Sequence, residues 1–303
     1  MKTKSVIITG TSRGIGLETA LAFARAGYNV FATMRNPEQA PELGQRAKKE
    51  SLPIFISVMD VNSDESVKQG IETILKENGP VDILVNNAGI ARHGSIEEVK
   101  ISEFKEVMDT NYFGALRCIQ QVLPSMRQNK RGCIINVTSI AGRLSNTPLG
   151  PYCASKWALE AASEALAQEV RPFNIRVANV EPGIIDTEMA HEIHHNGVNS
   201  IYPQVNRFGG LFAASLRTPT SAALVANKIL EIAENGTWQL RHPVGPDAEP
   251  FLNWRTTLND QEWIDWHAVD DDTWYNTVER DFGLNARKEN SLKLKNGRKL
   301  SLK

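Results

Sequence analysis

Short apolar runs alternate with longer amphipathic stretches through residues 1–180. Amphipathic periodicity predicts helices at Gly16–Ala26, Ser63–Asn78, Ser102–Gln128 and Tyr152–Phe173. The apolar runs predict strands at Ser5–Thr9, Asn29–Thr33, Ile54–Val58, Ile83–Asn86, Cys133–Thr138 and Arg176–Glu181. Near-continuous Val, Ile and Leu strands separated by helices are typical of a parallel sheet that is buried on both faces. We therefore expect an α/β fold with a doubly wound, Rossmann-type parallel sheet, whose ligands bind at the carboxyl ends of the strands.

The pattern changes after Glu181. Residues 186–218 show no strand pattern and predict a helical lobe, after which we expect a helix at Thr220–Asn235 and a last strand at Trp238–His242. We expect residues 1–245 to form a single domain, followed by a tryptophan-rich extension at 246–286 and a basic tail at 287–303. The extension carries Trp254, Trp263, Trp266 and Trp274. Trp274, Val278 and Phe282 recur at helical spacing before Gly283, which predicts a capped, docked helix.

Composition indicates a folded protein of a reducing compartment. The 303 residues are 41% hydrophobic, enough for a core, and the net charge of −1 gives no sign of a nucleic-acid partner. Three cysteines without C-x-x-C spacing predict no disulfide framework. We find no run long enough for a membrane span and expect a cytoplasmic protein. The basic tail, with its hairpin-like Asn296-Gly297, predicts a mobile end, with anionic lipid or a partner's sheet edge as alternatives.

The segment TGTSRGIG places three glycines between the first strand and the first helix. Gly10, Gly14 and Gly16 let the backbone approach a pyrophosphate, and the helix N-terminus offers free N–H groups to it. An ordinary tight turn is the alternative. The second strand is followed by Met34 and Arg35 instead of the carboxylate that binds the ribose of NAD.

Two arginines suggest which dinucleotide is bound. Arg13 lies inside the glycine turn and Arg35 follows the second strand, so both guanidiniums could bind a 2′-phosphate. This favours NADP(H), with two solvated surface arginines as the alternative.

YCASK places Tyr152 and Lys156 on one face of a helix. A neighbouring ammonium and an oxidised nicotinamide would lower the pKa of the phenol, so that Tyr152 could exchange a proton with a carbonyl oxygen. Ser139, at the end of the fifth strand, could hold the same oxygen. A surface pair on a helix is the alternative for YxxxK alone. NNAG, which ends at Gly89, and DTNYFG, which contains Asn111, complete the ordered set.

With these motifs in this order, residues 4–245 resemble a short-chain dehydrogenase/reductase of the single-domain TGxxxGxG/YxxxK group. VFATMRNPE and YCASKWALE are similar to the hydroxysteroid and retinol dehydrogenase-like subgroup. The resemblance implies a catalytic tetrad of Asn111, Ser139, Tyr152 and Lys156, in which Asn111 holds a water that links Lys156 to solvent. It implies a homodimer or homotetramer as well, with the helices at 102–128 and 152–173 pairing across a two-fold axis. The tryptophan-rich extension departs from the minimal family pattern.

The resemblance also implies the residues that contact the cofactor. Glycines would wrap the pyrophosphate, Asp60 and Val61 flank the adenine, and residues of PGIIDT meet the nicotinamide. The implied positions are Gly10, Ser12, Arg13, Gly14, Ile15, Gly16, Arg35, Asp60, Val61, Asn87, Ala88, Gly89, Tyr152, Lys156, Pro182, Gly183, Ile185 and Thr187.

One motif points elsewhere. HEIHH, which runs from His191 to His195, fits the H-E-x-x-H pattern in which two histidines bind zinc and the glutamate acts as a base. A zinc peptidase needs a third ligand, but Val198 and Ile201 occupy the positions of the extended motif and residues 211–219 contain no glutamate. We therefore expect no metal site, although these histidines could contact substrate.

Apolar residues of the lobe and of the segment after Ser139 are candidates for a substrate pocket, with core packing as the alternative. The candidates are Ile140, Leu144, Leu149, Ile184, Met189, Phe208 and Phe212. A pocket of this kind predicts a bulky apolar ketone or secondary alcohol, of the steroid, retinoid or aryl ketone type, as the substrate. The rival hypothesis is a protein that senses NADP(H) without catalysis.

Overall fold

The computed structural model describes residues 3–195 and 200–288, without the side chains of 193–195. These residues form a seven-stranded, all-parallel sheet in the order β3-β2-β1-β4-β5-β6-β7. The strands are β1 Ser5–Thr9, β2 Asn29–Met34, β3 Ile54–Val58, β4 Ile83–Asn86, β5 Gly132–Val137, β6 Ile175–Pro182 and β7 Arg241–Val244. The Rossmann-type fold expected from the sequence is confirmed.

The helices cover both faces of the sheet and extend beyond its last strand. They are α1 Gly14–Arg25, α2 Glu42–Glu50, α3 Asp64–Asn78, α4 Ile101–Met108, α5 Gly114–Gln128, α6 Gly150–Val170, α7 Glu188–His195, α8 Gln204–Ser215, α9 Ala222–Asn235, α10 Ala248–Thr256, α11 Asp260–Ala268 and α12 Asp271–Phe282. Since β1 alternates its side chains, Ile8 packs with α1 and α9 while Ile7 packs with α3 and α5. This places the core on both faces.

Two features differ from the expected elements. The predicted last strand forms, but its predicted bounds, Trp238–His242, are wrong: β7 begins at Arg241 and continues through Pro243 to Val244. Side-chain oxygens of Asn235 and Thr237 accept backbone N–H groups and hold the preceding segment in turns. Pro243 is tolerated because β7 pairs with β6 alone. The helix expected at 102–128 forms in two parts, joined by a π-helical turn at Asp109–Phe113.

The extension packs over the same end of the molecule as the lobe. Trp274 and Val278 of α12 join one apolar cluster with residues of α8 and with Tyr152 at its margin. Gly283, at φ +67°, ends α12, which confirms the expected helix and its cap. The division of the chain at residue 245 stays a prediction. The homo-oligomer stays a prediction as well. Phe113 and Trp157, on the two helical segments expected to pair, are about half exposed, as apolar residues of such an interface would be in a single subunit.

Within the described ranges, no helix has the length and apolar character needed to cross a bilayer. The tail from residue 289 onward, including its hairpin-like signal, lies outside the described residues.

Candidate active site

A cleft of about 800 Å³ opens at the carboxyl ends of the parallel strands. Every predicted cofactor-contacting residue lines it, as do Ser139 and the seven candidate apolar residues. Asn111 is the exception: it is 1% exposed and lies behind the cleft wall. The crossover connections bring these distant segments to one edge of the sheet.

The glycine turn is bound tightly to the loop after β4. The Asn87 side chain donates hydrogen bonds to the carbonyls of Thr9 and Gly10, at 2.9 and 3.0 Å. Gly10 adopts φ +70°, and a Cβ there would lie 2.7 Å from the Cα of Ala88. The first backbone bond of α1 runs from Leu17 N–H to the Arg13 carbonyl. The preceding N–H groups therefore have no partner within the helix and are available to an anion at this end of it.

Tyr152, Ser139 and Lys156 meet on the opposite side of the cleft. Tyr152 and Lys156 lie one turn apart on α6, with the Lys156 Nζ atom 5.6 Å from the centre of the phenol ring. Ser139 follows β5 and lies beside the Tyr152 phenol. Its Oγ donates to the Pro182 carbonyl at 3.3 Å and accepts from the Ala141 N–H at 3.1 Å. The Lys156 ammonium is buried and donates to the Val137 carbonyl at 2.8 Å, which fixes its position.

Burial controls the protonation of these groups. It raises the pKa of Tyr152 to about 12, while the hydrogen bond from Ser139 lowers it. It also lowers the pKa of Lys156 to about 8, against the negative charge of Glu160, which raises it. The lower pKa that the sequence suggested for Tyr152 is therefore not provided by the protein groups alone. A protonated phenol is suited to donate a proton to a carbonyl oxygen.

Asn111 lies within the π-helical turn between α4 and α5, a local irregularity that often marks a functional site. Its Oδ1 accepts from the Ile90 N–H at 2.8 Å, and its Nδ2 donates to the Ile90 carbonyl and to Ser155 Oγ, both at 2.9 Å. A side chain at Gly89 would meet both Asn111 Oδ1 and Lys156 Nζ, at 3.3 and 3.8 Å. Asn111 is thus held close behind the Lys156 ammonium.

Comparison with known proteins agrees with this geometry. The family model described as short chain dehydrogenase matches residues 4–197. The chain belongs to the short-chain dehydrogenase family. Members of this family bind a nicotinamide cofactor and act on alcohol or carbonyl groups, so the protein is an oxidoreductase of that kind.

Individual relatives include a vertebrate enzyme and two solved structures. Retinol dehydrogenase 8 from Bos taurus is 37% identical over 229 residues, which is 74% of this chain and 72% of that protein. A short-chain dehydrogenase from Streptomyces avermitilis, 31% identical, has a TM-score of 0.75 and covers 89% of this chain and 97% of its own. A variant of actinorhodin polyketide ketoreductase, solved with NADPH, is 25% identical with a TM-score of 0.72, covering 81% and 97%. The similarity to the retinol dehydrogenase subgroup is confirmed.

The two arginines of this short-chain dehydrogenase lie at the outer part of the cleft. Arg13 forms an ion pair with Glu188 at the start of α7. Arg35 is exposed and, within the described part of the chain, makes no ion pair or hydrogen bond. Arg35 is thus ready to bind an anion, whereas Arg13 would have to exchange Glu188 for it.

HEIHH lies on α7, over the cleft. His191 Nε2 is 2.8 Å from Asp186 Oδ1. Among residues 3–195 and 200–288, leaving aside the side chains of 193–195, no group of three or more His, Cys, Asp or Glu could hold a metal ion.

Sequence reasoning missed two contributions of the extension. Asp247 accepts a hydrogen bond from the Ile184 N–H at 2.8 Å and so holds the segment after Gly183, and burial raises the pKa of its carboxyl group. Phe251 lines the cleft from α10. The signal was weak: Gly245-Pro246-Asp247 resembles a helix start, but nothing in it indicates contact with a loop more than sixty residues away.

A buried carboxylate lies one residue before Pro182. The Glu181 side chain is fully buried, with Oε1 3.2 Å from Arg143 Nη1 and 3.8 Å from Arg241 Nε. Burial and the negative charge of Glu160 raise its pKa to about 7, while the two arginines lower it. Between pH 4.5 and about pH 7, the folded protein therefore holds a proton on Glu181 that the unfolded chain, in which the pKa has its ordinary value of 4.5, releases.

This shift predicts a pH-dependent stability. The free energy of unfolding should fall as pH rises from 4.5 to about 7, by on the order of 3 kcal/mol for the full shift. Glu181→Gln removes the ionisation, so we expect it to gain stability relative to wild type between about pH 5 and about pH 8. Urea unfolding of both proteins at about pH 5 and about pH 8 measures the difference in the free energy of unfolding. Glu164→Gln, at an exposed carboxylate, is the control. Parallel pH profiles for wild type and Glu181→Gln would contradict the prediction.

Proposed function

We propose that this protein catalyses reversible hydride transfer between NADP(H) and a carbonyl/alcohol pair on a bulky apolar substrate. The observation that carries the proposal is the meeting of Ser139, Tyr152 and Lys156 in one cleft that also contains the glycine turn. The glycine turn suits the anionic pyrophosphate of a dinucleotide, and Lys156, in the same cleft, suits its polar groups. Bound NADPH would supply the hydride.

The protein groups have distinct roles in the proposed reaction. Ser139 holds the substrate oxygen by a hydrogen bond, and the Tyr152 phenol donates its proton to that oxygen as the carbonyl is reduced. The Lys156 ammonium, fixed by the Val137 carbonyl, favours the phenolate that this leaves and so promotes the transfer. Asn111 holds the backbone of Ile90 behind Lys156. It lies between Lys156 and the path by which solvent replaces the proton that Tyr152 donates.

The apolar wall supports the substrate class. Leu149, Phe208 and Phe212 belong to one buried cluster beside Tyr152. Met189 and Leu144 add to the apolar part of the cleft lining. A steroid-, retinoid- or aryl-ketone-like molecule would bury apolar area here, whereas a sugar would leave its hydroxyls without partners.

The preference for NADP(H) is proposed from Arg35, which lines the cleft where an NAD-binding protein carries a carboxylate. The related polyketide ketoreductase was solved with NADPH.

We expect the protein to consume NADPH with apolar ketones, measured as loss of NADPH absorbance over a panel of ketones and aldehydes.

Arg35→Ala should raise the KM for NADPH roughly tenfold or more, because a charge-assisted hydrogen bond is lost, and leave the KM for NADH unchanged. Arg25→Ala, whose guanidinium pairs with Glu50 outside the cleft, is the matched control. Equal loss with both cofactors would refute the role of Arg35. Tight NADPH binding without turnover in either direction would favour the sensor.

A further inference from the structure

A second, smaller cavity of about 40 Å³ lies next to the cleft. All four tryptophans of the extension line it, as do Arg207 and His267. Leu144, Asn146, Phe208, Leu211 and Phe251 line both cavities. The wall between the reacting end of the cleft and the tryptophan-lined cavity is therefore made largely of apolar residues.

Arg207 is the charged group of this cavity. It is 6% exposed, and its Nε pairs with Asp271 at 2.7 Å while its Nη2 donates to the Val269 carbonyl at 2.8 Å. Its Nη1 is buried and has no hydrogen-bond partner among the described residues. A guanidinium cannot lose its proton in a protein, and a buried donor without an acceptor is costly. Because Arg207 lines the cavity, an acceptor oxygen bound there would remove this cost.

The neighbouring groups do not supply that acceptor. His267 hydrogen-bonds to the Trp263 carbonyl at 2.8 Å and lies 3.2 Å from Asn146 Oδ1, and burial lowers its pKa. The Trp263 indole N–H donates to the Ser145 carbonyl. The volume exceeds the roughly 10–15 Å³ that one water requires, so it admits either water or the last few atoms of a chain.

We infer that the cavity binds the far end of an elongated apolar substrate, and that Arg207 donates to a hydrogen-bond-accepting oxygen, carboxylate or ester carbonyl, at that end. The inference rests on the proposed function, since the other end of the substrate must reach Ser139 and Tyr152. The middle of the chain would pass Leu144 and Phe251, and the tryptophans would surround its last carbons. Arg207 thus selects for an oxygenated tail at a set distance from the reacting carbonyl.

The test compares three series of methyl ketones of increasing length with NADPH: unsubstituted 2-alkanones, oxo acids with a terminal carboxylate, and their methyl esters. We expect kcat/KM for the acid or ester to exceed that of the alkanone of equal length roughly tenfold over one span of lengths, as for a charge-assisted hydrogen bond. A gain for the acid alone identifies a carboxylate, and a gain for both identifies a carbonyl oxygen. A ratio near one at every length would overturn the inference and leave only a buried water on Arg207.

Variants give a second readout. Arg207→Met should abolish the tail effect while short 2-alkanones keep their rate. Arg287→Met, which removes the guanidinium that pairs with Asp272 and lines neither cavity, is the matched control. The wild-type series needs no variant, so the inference can fail even if Arg207→Met does not fold. A tail effect that survives in folded Arg207→Met would overturn the role of Arg207.

Tryptophan fluorescence separates the two proposals. Four of the six tryptophans, those of the extension, line the cavity, so long oxo acids or esters should change the emission of the NADP-bound protein, and short ketones should not. An Arg207-dependent change without turnover of any ketone would mean that the cavity binds as inferred but the proposed function fails. Turnover of short ketones without any tail effect would mean the reverse.

Discussion

Tyr152→Phe is expected to reduce the rate of carbonyl reduction by a factor of about 10²–10⁴, the usual contribution of a positioned general acid. The substitution removes one oxygen and leaves the ring, so its packing against the apolar cluster that contains Phe208 and Trp274 is kept. The phenol is the proton source proposed for the substrate oxygen. Ser139, whose hydroxyl donates to the Pro182 carbonyl, cannot replace it because a serine hydroxyl holds its proton far more strongly. NADPH binding should persist, since Lys156 and the glycine turn are unchanged.

Single-turnover measurement of NADPH oxidation, beside a binding titration, checks this expectation. Tyr28→Phe is the matched control, because it also removes one phenol hydroxyl. Tyr28 is 4% exposed, packs on Phe23 and does not line the cleft. The control should react like wild type. If Tyr152→Phe reduced ketones at the wild-type rate, the proton would have to come from another group, and the proposed role of Tyr152 would be abandoned.

The sequence was sufficient to predict the first six strands of the sheet because each is short and contains an apolar run. β1, β3 and β4 have the bounds that the sequence predicted. Its limits appear at β7, where Arg241-His242-Pro243 has no apolar run and pairing with the edge of β6 decides the strand. The π-helical turn around Asn111 was hidden as well, because one extra residue per turn leaves little trace in a helical pattern.

The candidate site could be predicted where chemistry follows local order along the chain. Tyr152 and Lys156 are four residues apart, and Ser139 lies two residues after the end of β5, so topology alone brings them to one edge. Contacts made by the extension depend instead on where separate helices dock. Asp247 on the Ile184 N–H, Phe251 in the cleft wall and Arg207 on Asp271 carry no periodic signal. The lower pKa expected for Tyr152 beside Lys156 and an oxidised nicotinamide stays a prediction, while the effect of burial, which raises the pKa, could not be judged from spacing.

Gly16→Ala is the other substitution with a large expected effect. A Cβ at position 16 would lie 2.2 Å from the Gly10 carbonyl oxygen and 2.4 Å from Asn87 Nδ2. Neither atom can move freely, because the Asn87 amide is bound to the carbonyls of both Thr9 and Gly10. Relief of the clash must therefore separate the start of α1 from the loop after β4 and break the glycine turn.

We expect Gly16→Ala to weaken NADPH binding at least about 100-fold and to lower the free energy of unfolding by on the order of 1–3 kcal/mol, the range for overpacking. Isothermal titration with NADPH and urea unfolding measure the two effects. Gly44→Ala in α2 is the matched control, since its Cβ would meet Ile56 at an ordinary 3.5 Å and alanine favours the helix by up to about 1 kcal/mol. That control should bind NADPH normally and be no less stable than wild type. Wild-type affinity in Gly16→Ala would show that the dinucleotide does not depend on this close approach of α1 to Gly10, and the glycine turn would lose its proposed role.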